Sequence, residues 1–351
     1  MRIAQVATLF EPVPPARYGG VERVVGILTD QLVAQGHDVT LFASGDSTTK
    51  AQLVPACPQS LRLADTGPFR DFTVAIYMKM MMDLLHRVDD FDVMHFHTGF
   101  YHLPTFYPHR HRSLTTVHMP MSLGPDIGTL LDAFAEMPYI GISHDQRSHR
   151  PSMNWRGVVH HGIPADLYRQ DDGDGGYLLF VGRIAPSKRP DRAIEIARGA
   201  GLPLKIAAKV DDIFRDYFDA EVAPHIDGHA VEFLGEVSDQ EKQELYGGAR
   251  ALLFPIDWNE PFGLVLIEAM ACGTPVVAWD MGSVTEIVDD GVTGFRVTDI
   301  DAAVEAVRAT AGLDRGLVRA TFDRRFTAER MTSGYVAQYE RMIDEAEAGA
   351  R

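Results

Sequence analysis

Two glutamates with seven residues between them, Glu260 and Glu268, are the side chains of this sequence best suited to hold a polar ligand. Carboxylates accept hydrogen bonds from hydroxyl groups, so the pair could grip the hydroxyls of a sugar and of a ribose. Gly263 lies between them, and its missing side chain lets a ligand approach the backbone closely. A sugar nucleotide, with hydroxyls on either side of a diphosphate, has the shape that this pattern favours.

A helix must position these residues. The segment 263–271 is predicted to be a buried helix, because it is apolar except at Glu268 and Gly273 follows it, as glycines often follow a helix C-terminus. Glu260 lies in the loop before the helix, since Pro261 keeps the residue in front of it out of the helical region. Glu268 is predicted to point inward, where a carboxylate needs a partner.

The N-terminus of this predicted helix suits a phosphate group. Its first N–H groups have no partner within the helix, and the helix dipole places partial positive charge there. The residues concerned are Phe262, Gly263 and Leu264. A purely structural interpretation stays open at this point, in which Glu260 caps the helix and Glu268 lies on a solvated helix face.

Two basic residues are placed to neutralise a diphosphate. Arg183 and Lys188 stand in the loop that follows a predicted strand beginning at Tyr177. Arginine binds a phosphate through two parallel hydrogen bonds, and lysine adds a compact positive charge. The chain has a net charge of −16, most of it on residues 170–351. An anionic ligand must therefore be held by a few placed cations, and an electrostatic footprint for nucleic acid is excluded.

Length and composition fit two domains and no membrane span. The chain has 351 residues, 46% of them hydrophobic, enough for two cores in domains of about 150 residues each. No segment approaches about 20 consecutive apolar residues, and the N-terminus runs directly into a strand, so we expect a cytoplasmic location. The two cysteines exclude a disulfide framework. Histidines are concentrated in the first half, but without H-E-x-x-H or a cysteine pair they predict no metal site.

The first domain begins with a strand, a glycine loop and a helix. Residues 1–10 are predicted to be a strand and residues 21–37 an amphipathic helix, with Gly19 and Gly20 between them. In a parallel sheet this loop lies at the carboxyl ends of the strands, where ligands usually bind. The dinucleotide pattern G-x-G-x-x-G is absent, so no NAD is implied. An ordinary turn is the alternative interpretation of the double glycine.

Further strands and helices continue the α/β pattern. In a strand over 91–98 the side-chain period of two puts His95 and His97 on one face. A methionine-rich helix over 72–88 either packs the core or lines an acceptor site, because methionine fills irregular gaps and lines adaptable surfaces. A polar, glycine-rich stretch over 169–177 is the predicted linker between the domains.

The run EPFGLVLIEAMACGTPVVA, residues 260–278, closely resembles the motif in which retaining glycosyltransferases of family 4 carry two glutamates separated by seven residues. The resemblance covers nearly the whole chain, with its strongest motifs in the second half. It implies the GT-B fold, in which two Rossmann-like, doubly wound α/β domains face each other across a cleft. The domains would span 1–169 and 170–326, and a helix over 327–351 would cross back to the first domain.

The implied activity is that of a hexosyltransferase. It would move a sugar from a nucleoside-diphosphate donor, a UDP- or GDP-sugar, to an acceptor hydroxyl with retention of configuration. No cofactor is expected, and no metal, because two basic side chains take its place. An epimerase or phosphorylase of the same shape is the alternative among enzymes. A non-catalytic subunit that binds a nucleotide sugar is the alternative outside the enzymes. Loss of catalysis would be expected to remove charged residues of the motifs, but all four are present: Arg183, Lys188, Glu260 and Glu268.

The resemblance also implies roles for single residues of the second domain. Arg183, Lys188 and the N–H groups at the helix N-terminus would stabilise charge on the leaving diphosphate. Glu260 would hold the sugar hydroxyls, and Glu268 the ribose. The attack would come from the face that the diphosphate leaves, so no protein nucleophile is expected.

Further residues are implied near the donor. His118, at the end of a strand over 113–120, would lie against the donor sugar, although a structural histidine is an equal alternative. His161 stands where many relatives have an asparagine, so no role carries over to it. Residues beside the donor phosphates or the nucleotide base would be Gly19, Gly20, Glu236 and Val237.

Overall fold

The computed structural model describes residues 1–16, 18–63, 73–121, 124–173 and 175–349. Four predicted features extend beyond these ranges. Their residues outside the described ranges are Arg17 of the loop before the double glycine, Phe72 at the start of the methionine-rich helix, Asp174 of the linker, and Ala350 and Arg351 at the end of the predicted C-terminal helix.

The chain divides into two compact units. The first unit comprises Met1–Gly162 together with Ala328–Arg351, and the second comprises Ile163–Thr327. The first boundary falls a few residues earlier than the predicted end at residue 169. Residues after Gly162 belong to the second unit because Ile163 forms a β-bridge with Thr327, and the Arg319 guanidinium donates to the carbonyls of Ala165 and Tyr168.

The first unit contains a parallel sheet. Its strands, in the described residues, lie in the spatial order β3-β2-β1-β4-β5-β6-β7. Their bounds are β1 (Arg2–Val6), β2 (Asp38–Ser44), β3 (Gln52–Cys57), β4 (Val93–Phe96), β5 (Ser113–Thr116), β6 (Tyr139–Gly141) and β7 (Trp155–Val158). β2, β4 and β5 are buried almost throughout, as strands covered by helices on both faces must be.

The second unit contains another parallel sheet, with the described strands in the order β10-β9-β8-β11-β12-β13. Their bounds are β8 (Tyr177–Ile184), β9 (Leu204–Val210), β10 (Val231–Phe233), β11 (Ala249–Phe254), β12 (Val276–Trp279) and β13 (Gly294–Val297). In both sheets the chain winds outward from a central strand in one direction and then in the other. This is the doubly wound Rossmann order, so the predicted α/β class is confirmed.

Helices connect the strands of both sheets. Their bounds are α1 (Gly20–Ala34), α2 (Thr73–Leu85), α3 (Leu103–Phe106), α4 (Pro125–Ala133), α5 (His144–Ser148), α6 (Pro190–Ala200), α7 (Arg215–Tyr217), α8 (Asp239–Gly248), α9 (Leu264–Ala271), α10 (Val284–Ile287), α11 (Ile300–Ala309), α12 (Arg315–Arg325) and α13 (Ala328–Gly349). Ser238 begins α8 with a capping box to Glu241, and Asp299 caps α11 through the Ala302 N–H. α13 belongs to the first unit.

Two local features of the first unit are Pro55 in β3 and the methionines of α2. β3 contains Pro55, which favours a loop, but β3 is an edge strand and a missing N–H is tolerated there. The methionine-rich helix α2 buries Met80 and Met81 in the core while Met78 and Met82 stay exposed, so it packs the core on one side only.

Among the described residues, no helix has the length and apolar character that crossing a membrane requires.

Candidate active site

The second sheet places the predicted ligand residues at its topological switch point. β8 and β11 are neighbouring parallel strands from which the chain winds off in opposite directions. Arg183 and Lys188 lie at and just after the end of β8, and Glu260 lies in the loop that follows β11. Ligands of doubly wound sheets bind outside the carboxyl ends of the strands at this point. The fold therefore places these three residues at the edge of the sheet where a ligand is expected.

Lys188 and Glu260 form an ion pair. The Lys188 ammonium contacts Oε2 of Glu260, and the Trp258 Nε1–H donates to the same oxygen at 3.0 Å. The ammonium also lies 4.7 Å from the centre of the Trp258 ring. Only 16% of the Lys188 side chain and 12% of the Glu260 side chain are exposed, so water screens the pair weakly. The Asp257 N–H joins the two loops by donating to the Ser187 carbonyl at 2.8 Å.

Arg183 has a different carboxylate partner. Its Nη1 lies 3.6 Å from Oδ2 of Asp211, and its guanidinium lies over the Phe214 ring at 5.5 Å. Lys209 pairs in register with Arg183 on the adjacent strand β9, and its ammonium lies 2.8 Å from Oδ1 of Asp211. One carboxylate thus faces two cations, and the Arg183 Nε is buried with no hydrogen-bond partner among the described residues. A phosphate oxygen could satisfy that donor.

Glu268 is buried on α9 and is not a solvated helix face. It is 2% exposed, and its carboxylate accepts a hydrogen bond of 2.8 Å from the Tyr246 hydroxyl. The Lys242 ammonium lies 3.3 Å from each oxygen of the same carboxylate. Burial, together with the charge of Glu268, raises the pKa of Tyr246 well above its ordinary value, so this hydroxyl stays a donor. The expected inward carboxylate therefore has its partners on α8.

Gly263 shapes the entrance to α9. Its φ of +85° lies in the left-handed region, and a Cβ there would come 3.1 Å from Cδ1 of Leu266 and 3.3 Å from the Phe254 ring. α9 begins at Leu264, one residue after the predicted start, because Gly263 is the cap residue in front of the helix. The Phe262 ring is 2% exposed and packs against Phe326 in the core. Only the backbone of Phe262 is therefore left to meet a ligand.

Gly282, which the sequence pattern did not single out, supports Glu260 directly. A Cβ on Gly282 would come within 2.6 Å of the Glu260 amide nitrogen and 2.7 Å of its carbonyl oxygen, and the φ of Gly282 is +58°. The next residue, Ser283, donates its N–H to the Glu260 carbonyl at 3.0 Å and its hydroxyl to the Phe262 carbonyl at 2.7 Å. The turn after β12 thus fixes the loop that carries Glu260.

The loop after β10 carries the two residues predicted near a nucleotide base. Glu236 and Val237 are half-buried between Gly235, which has a φ of +69°, and the cap residue Ser238 of α8. The loop leads directly into α8, which carries Lys242 and Tyr246, the two partners of Glu268. The loop therefore lies in the same part of the second unit as Glu268.

In the first unit, the double glycine begins α1. Gly19 has a φ of +148°, and a Cβ there would lie 2.8 Å from Cβ of Pro15, so the turn itself requires glycine. Gly20 is the first residue of α1, and Glu22 of the same motif accepts a hydrogen bond of 2.5 Å from the Thr8 hydroxyl. Burial raises the pKa of Glu22. The packing of this turn is therefore sufficient to explain why residue 19 is a glycine.

His118 follows β5 and belongs to a group of stacked imidazoles. Its Nε2 lies 2.8 Å from Nδ1 of His97, and its ring stacks on that of His161 with centroids 5.2 Å apart. Desolvation lowers the pKa of His118 to about 3, although part of its surface is exposed. His118 is therefore neutral at physiological pH.

No three or more His, Cys, Asp or Glu side chains among the described residues are arranged to hold a metal ion.

Sequence models of two families match this chain. The model described as glycosyl transferases group 1 matches residues 169–310, and the model described as glycosyltransferase family 4 matches residues 18–157. The first match contains the whole switch-point site of the second unit. The second match contains the double glycine and His118.

Curated proteins and solved structures resemble the chain over most of its length. The D-inositol 3-phosphate glycosyltransferase of Frankia alni is 28% identical over 342 residues, covering 81% of this chain and 83% of that protein. AviGT4, a glycosyltransferase involved in avilamycin A biosynthesis, has 25% identity and a TM-score of 0.74 over 98% of both chains. HepE from Anabaena, solved with UDP and glucose, has 18% identity and a TM-score of 0.73 over 97% of this chain and 99% of its own.

Proposed function

The chain belongs to glycosyltransferase family 4 and has the GT-B fold class, and from this premise we propose a donor, a stereochemical course and residue roles for it. It transfers a sugar from a nucleoside-diphosphate donor, UDP- or GDP-linked, to an acceptor hydroxyl with retention of configuration. The observation that carries the proposal is the Lys188–Glu260 pair at the switch point of the second sheet.

That pair is suited to exchange its partners for a ligand. A part-buried ion pair is costly to break if one charge is left alone, so a ligand must supply a new partner for each side. A diphosphate offers anionic oxygens to Lys188, and sugar hydroxyls offer donors to Glu260. A nucleotide sugar carries both groups in one molecule, whereas free phosphate or free sugar offers only one of them.

Arg183 and its neighbours complete the diphosphate site. The buried Nε of Arg183 lacks a protein acceptor among the described residues, and Asp211 holds this arginine beside Lys209. Two phosphates bring more negative charge than Asp211 supplies, so the donor adds an anionic partner for Arg183 and for Lys209 when it binds. Lys209 thereby joins the cations proposed for the leaving group.

Catalysis follows from charge that develops on the diphosphate. The bond between the anomeric carbon and the diphosphate oxygen breaks, and the acceptor oxygen forms its bond from the same face. The acceptor proton passes to the departing diphosphate. Lys188 and Arg183 stabilise the negative charge as it builds, with their geometry set before the reaction begins. Glu260 orients the sugar, and Glu268 is the proposed partner of the ribose hydroxyls.

The direct test is a transfer assay with product analysis. UDP- and GDP-sugars are incubated with the chain, with and without a hydroxyl acceptor, and the product's anomeric configuration is read by NMR. D-inositol 3-phosphate is the first acceptor to assay, because curated relatives are named for it. Acceptor-dependent release of the diphosphate with retained configuration is expected. Conversion of the nucleotide sugar without an acceptor would identify an epimerase. Dependence of the reaction on free phosphate would identify a phosphorylase, and binding of the nucleotide sugar without turnover would identify a non-catalytic subunit.

Transfer is expected to continue in excess EDTA. Arg183, Lys188 and Lys209 supply the positive charge that a divalent metal supplies in other nucleotide-sugar enzymes, so removing metals leaves the proposed site complete. The initial rate is measured before and after chelation, and again after Mn²⁺ is added back. A loss of activity that Mn²⁺ restores would contradict the metal-independent mechanism.

A further inference from the structure

A continuous row of buried polar side chains lies behind His118 in the first unit. We call it the histidine relay. It draws on β1, β4, β5 and α13, and its members in hydrogen-bond order are His97, Gln5, Tyr339, His95, Thr116 and Tyr335. Every member is buried. Burying this many polar side chains in an apolar core is costly unless each donor meets an acceptor. The direction of each hydrogen bond in the row is therefore constrained by its neighbours.

The first half of the relay fixes the direction of its hydrogen bonds. Gln5 donates its Nε2–H to the Tyr339 hydroxyl at 3.0 Å, so its Oε1 faces Nε2 of His97 at 2.9 Å as an acceptor. Nε2 of His97 therefore carries the proton. Burial lowers the pKa of His97 well below its usual value, which makes the ring neutral and its Nδ1 an acceptor. His118, at 2.8 Å from that Nδ1, must donate to it from Nε2.

The second half runs in the same direction. The Tyr339 hydroxyl accepts from Gln5 and donates to Nδ1 of His95 at 2.6 Å. His95 then donates from Nε2 to the Thr116 hydroxyl at 2.7 Å. Thr116 in turn donates to the Tyr335 hydroxyl at 3.1 Å. The two ends of the relay thus require one polarity, and each histidine in it has one N–H and one lone pair.

We infer that the histidine relay holds His118 in a single tautomer, with Nε2–H turned inward to His97 and the Nδ1 lone pair left as a hydrogen-bond acceptor for a hydroxyl group of the substrate. No hydrogen bond to Nδ1 of His118 occurs among the described residues. Relay members act through His118 and are positioning residues. The inference rests on the proposed function only in assigning the hydroxyl to a sugar substrate.

This assignment restricts what His118 can recognise. An acceptor nitrogen on a neutral ring attracts an O–H group and repels a phosphate oxygen, so His118 reads a hydroxyl and does not bind the diphosphate. It is also no proton donor to a leaving group, because its one N–H is directed to His97. Reversing the relay would turn the same nitrogen into a donor without moving a heavy atom of the ring.

The relay can be reversed by removing one hydroxyl. In Tyr339→Phe, Gln5 loses the acceptor of its Nε2–H, and its amide is free to turn and donate to His97 instead. His97 then donates from Nδ1, and His118 carries its proton on Nδ1. Tyr335→Phe is the matched control, because it removes a buried hydroxyl from the same helix but only from the last acceptor of the relay.

The test is long-range ¹H–¹⁵N NMR of the full chain labelled with ¹⁵N-histidine, in which the ring nitrogens of each tautomer have separate shifts. His118 signals are assigned by their loss in His118→Gln. The wild type and Tyr335→Phe are expected to show the Nε2–H tautomer at His118, and Tyr339→Phe the Nδ1–H tautomer or a mixture. An Nδ1–H tautomer in the wild type, or an unchanged tautomer in Tyr339→Phe, would overturn the inference.

Kinetics separate this inference from the proposed function. Tyr339→Phe should lower kcat/KM for transfer by about 10- to 100-fold, because a substrate hydroxyl then meets an N–H in place of a lone pair. A substrate analogue lacking the hydroxyl that His118 reads should be used equally well by the wild type and Tyr339→Phe. If His118 shows the expected tautomers but no sugar transfer is detected, only the proposed function is contradicted. If transfer is normal but the tautomers differ from those expected, only the inference about the histidine relay is contradicted.

Discussion

Lys188→Met is expected to lower kcat/KM for sugar transfer by about 100- to 1,000-fold, or about 3–4 kcal/mol of transition-state stabilisation. Methionine keeps the length and apolar stem of lysine but removes its charge. The negative charge that builds on the leaving diphosphate then loses a cation that the Trp258 ring holds in place. Turnover should fall more than donor binding does, since the charge is greatest in the transition state.

Lys205→Met is the matched control for this substitution. Lys205 is a part-buried lysine of the same unit, and its ammonium lies 4.2 Å from the centre of the Tyr177 ring, a contact of the same kind as that of Lys188 with Trp258. It lies near the amino end of β9, away from the carboxyl ends of the strands. Its replacement should leave transfer nearly unchanged. A Lys188→Met enzyme as active as Lys205→Met would refute the role of Lys188.

A double variant separates catalysis from folding. Lys188→Met leaves the Glu260 carboxylate without its cation, which should reduce the free energy of unfolding by about 1–2 kcal/mol for this part-buried pair. Adding Glu260→Gln removes the uncompensated charge, so the double variant should recover stability in thermal unfolding. Its activity should stay lost, because neither the diphosphate nor the sugar regains a partner. Recovery of both together would mean that the pair only stabilises the fold.

Gly282→Ala is expected to lower kcat/KM by about 100-fold, the effect of misplacing a reacting group by about 1 Å. The added methyl group would collide with the Glu260 backbone, where the nearest atoms lie at 2.6 and 2.7 Å. Glu260 must then move together with the loop that Ser283 holds. The affinity for free UDP or GDP, measured by calorimetry, should fall less than kcat/KM does, because Arg183 and Lys209, two of the proposed diphosphate-binding cations, lie on other strands.

Gly201→Ala controls for backbone strain in that experiment. Gly201 has a φ of +68°, close to the +58° of Gly282, but a Cβ there would meet no atom within 4 Å. Both variants carry the cost of about 1–2 kcal/mol for a left-handed residue with a side chain. Only Gly282→Ala also displaces Glu260. Equal losses of transfer in the two variants would attribute the effect to strain and would contradict a positioning role.

Local patterns of the sequence predicted the secondary structure around Glu268 well. The apolar run after Gly263 predicted α9, and the glycine after it predicted where the helix ends. The isolated glutamate in that run predicted a buried carboxylate in need of a partner, and Glu268 has one. These features depend on neighbours in the chain, and short-range rules describe such neighbours adequately.

The partners of these residues were not predictable, because they come from distant parts of the chain. Lys242 and Tyr246 lie four residues apart on one face of α8, a spacing that meets Glu268 only once α8 packs beside α9. Gly282 needs to be glycine because the Glu260 backbone passes next to it. No local signal distinguishes such a glycine from one in an ordinary turn.

The histidines of the first half show the same limit. A period of two correctly placed His95 and His97 together, and their rings lie 4.1 Å apart. The tyrosines that complete their hydrogen bonds stand on α13, at the other end of the chain. The sequence offers no metal-binding motif for these histidines, and it also does not show what else they do. Here each ring of the relay has a hydrogen-bond partner at both nitrogens, which gives these residues a structural explanation.

The central claim is that Lys188 and Glu260 release one another to hold the two halves of a nucleotide sugar. A crystal structure of the chain with an unhydrolysed UDP- or GDP-sugar tests it most directly. The account predicts the Lys188 ammonium on a phosphate oxygen, with the Glu260 carboxylate accepting from a sugar hydroxyl. A nucleotide sugar bound elsewhere, with the Lys188–Glu260 ion pair still closed, would contradict it.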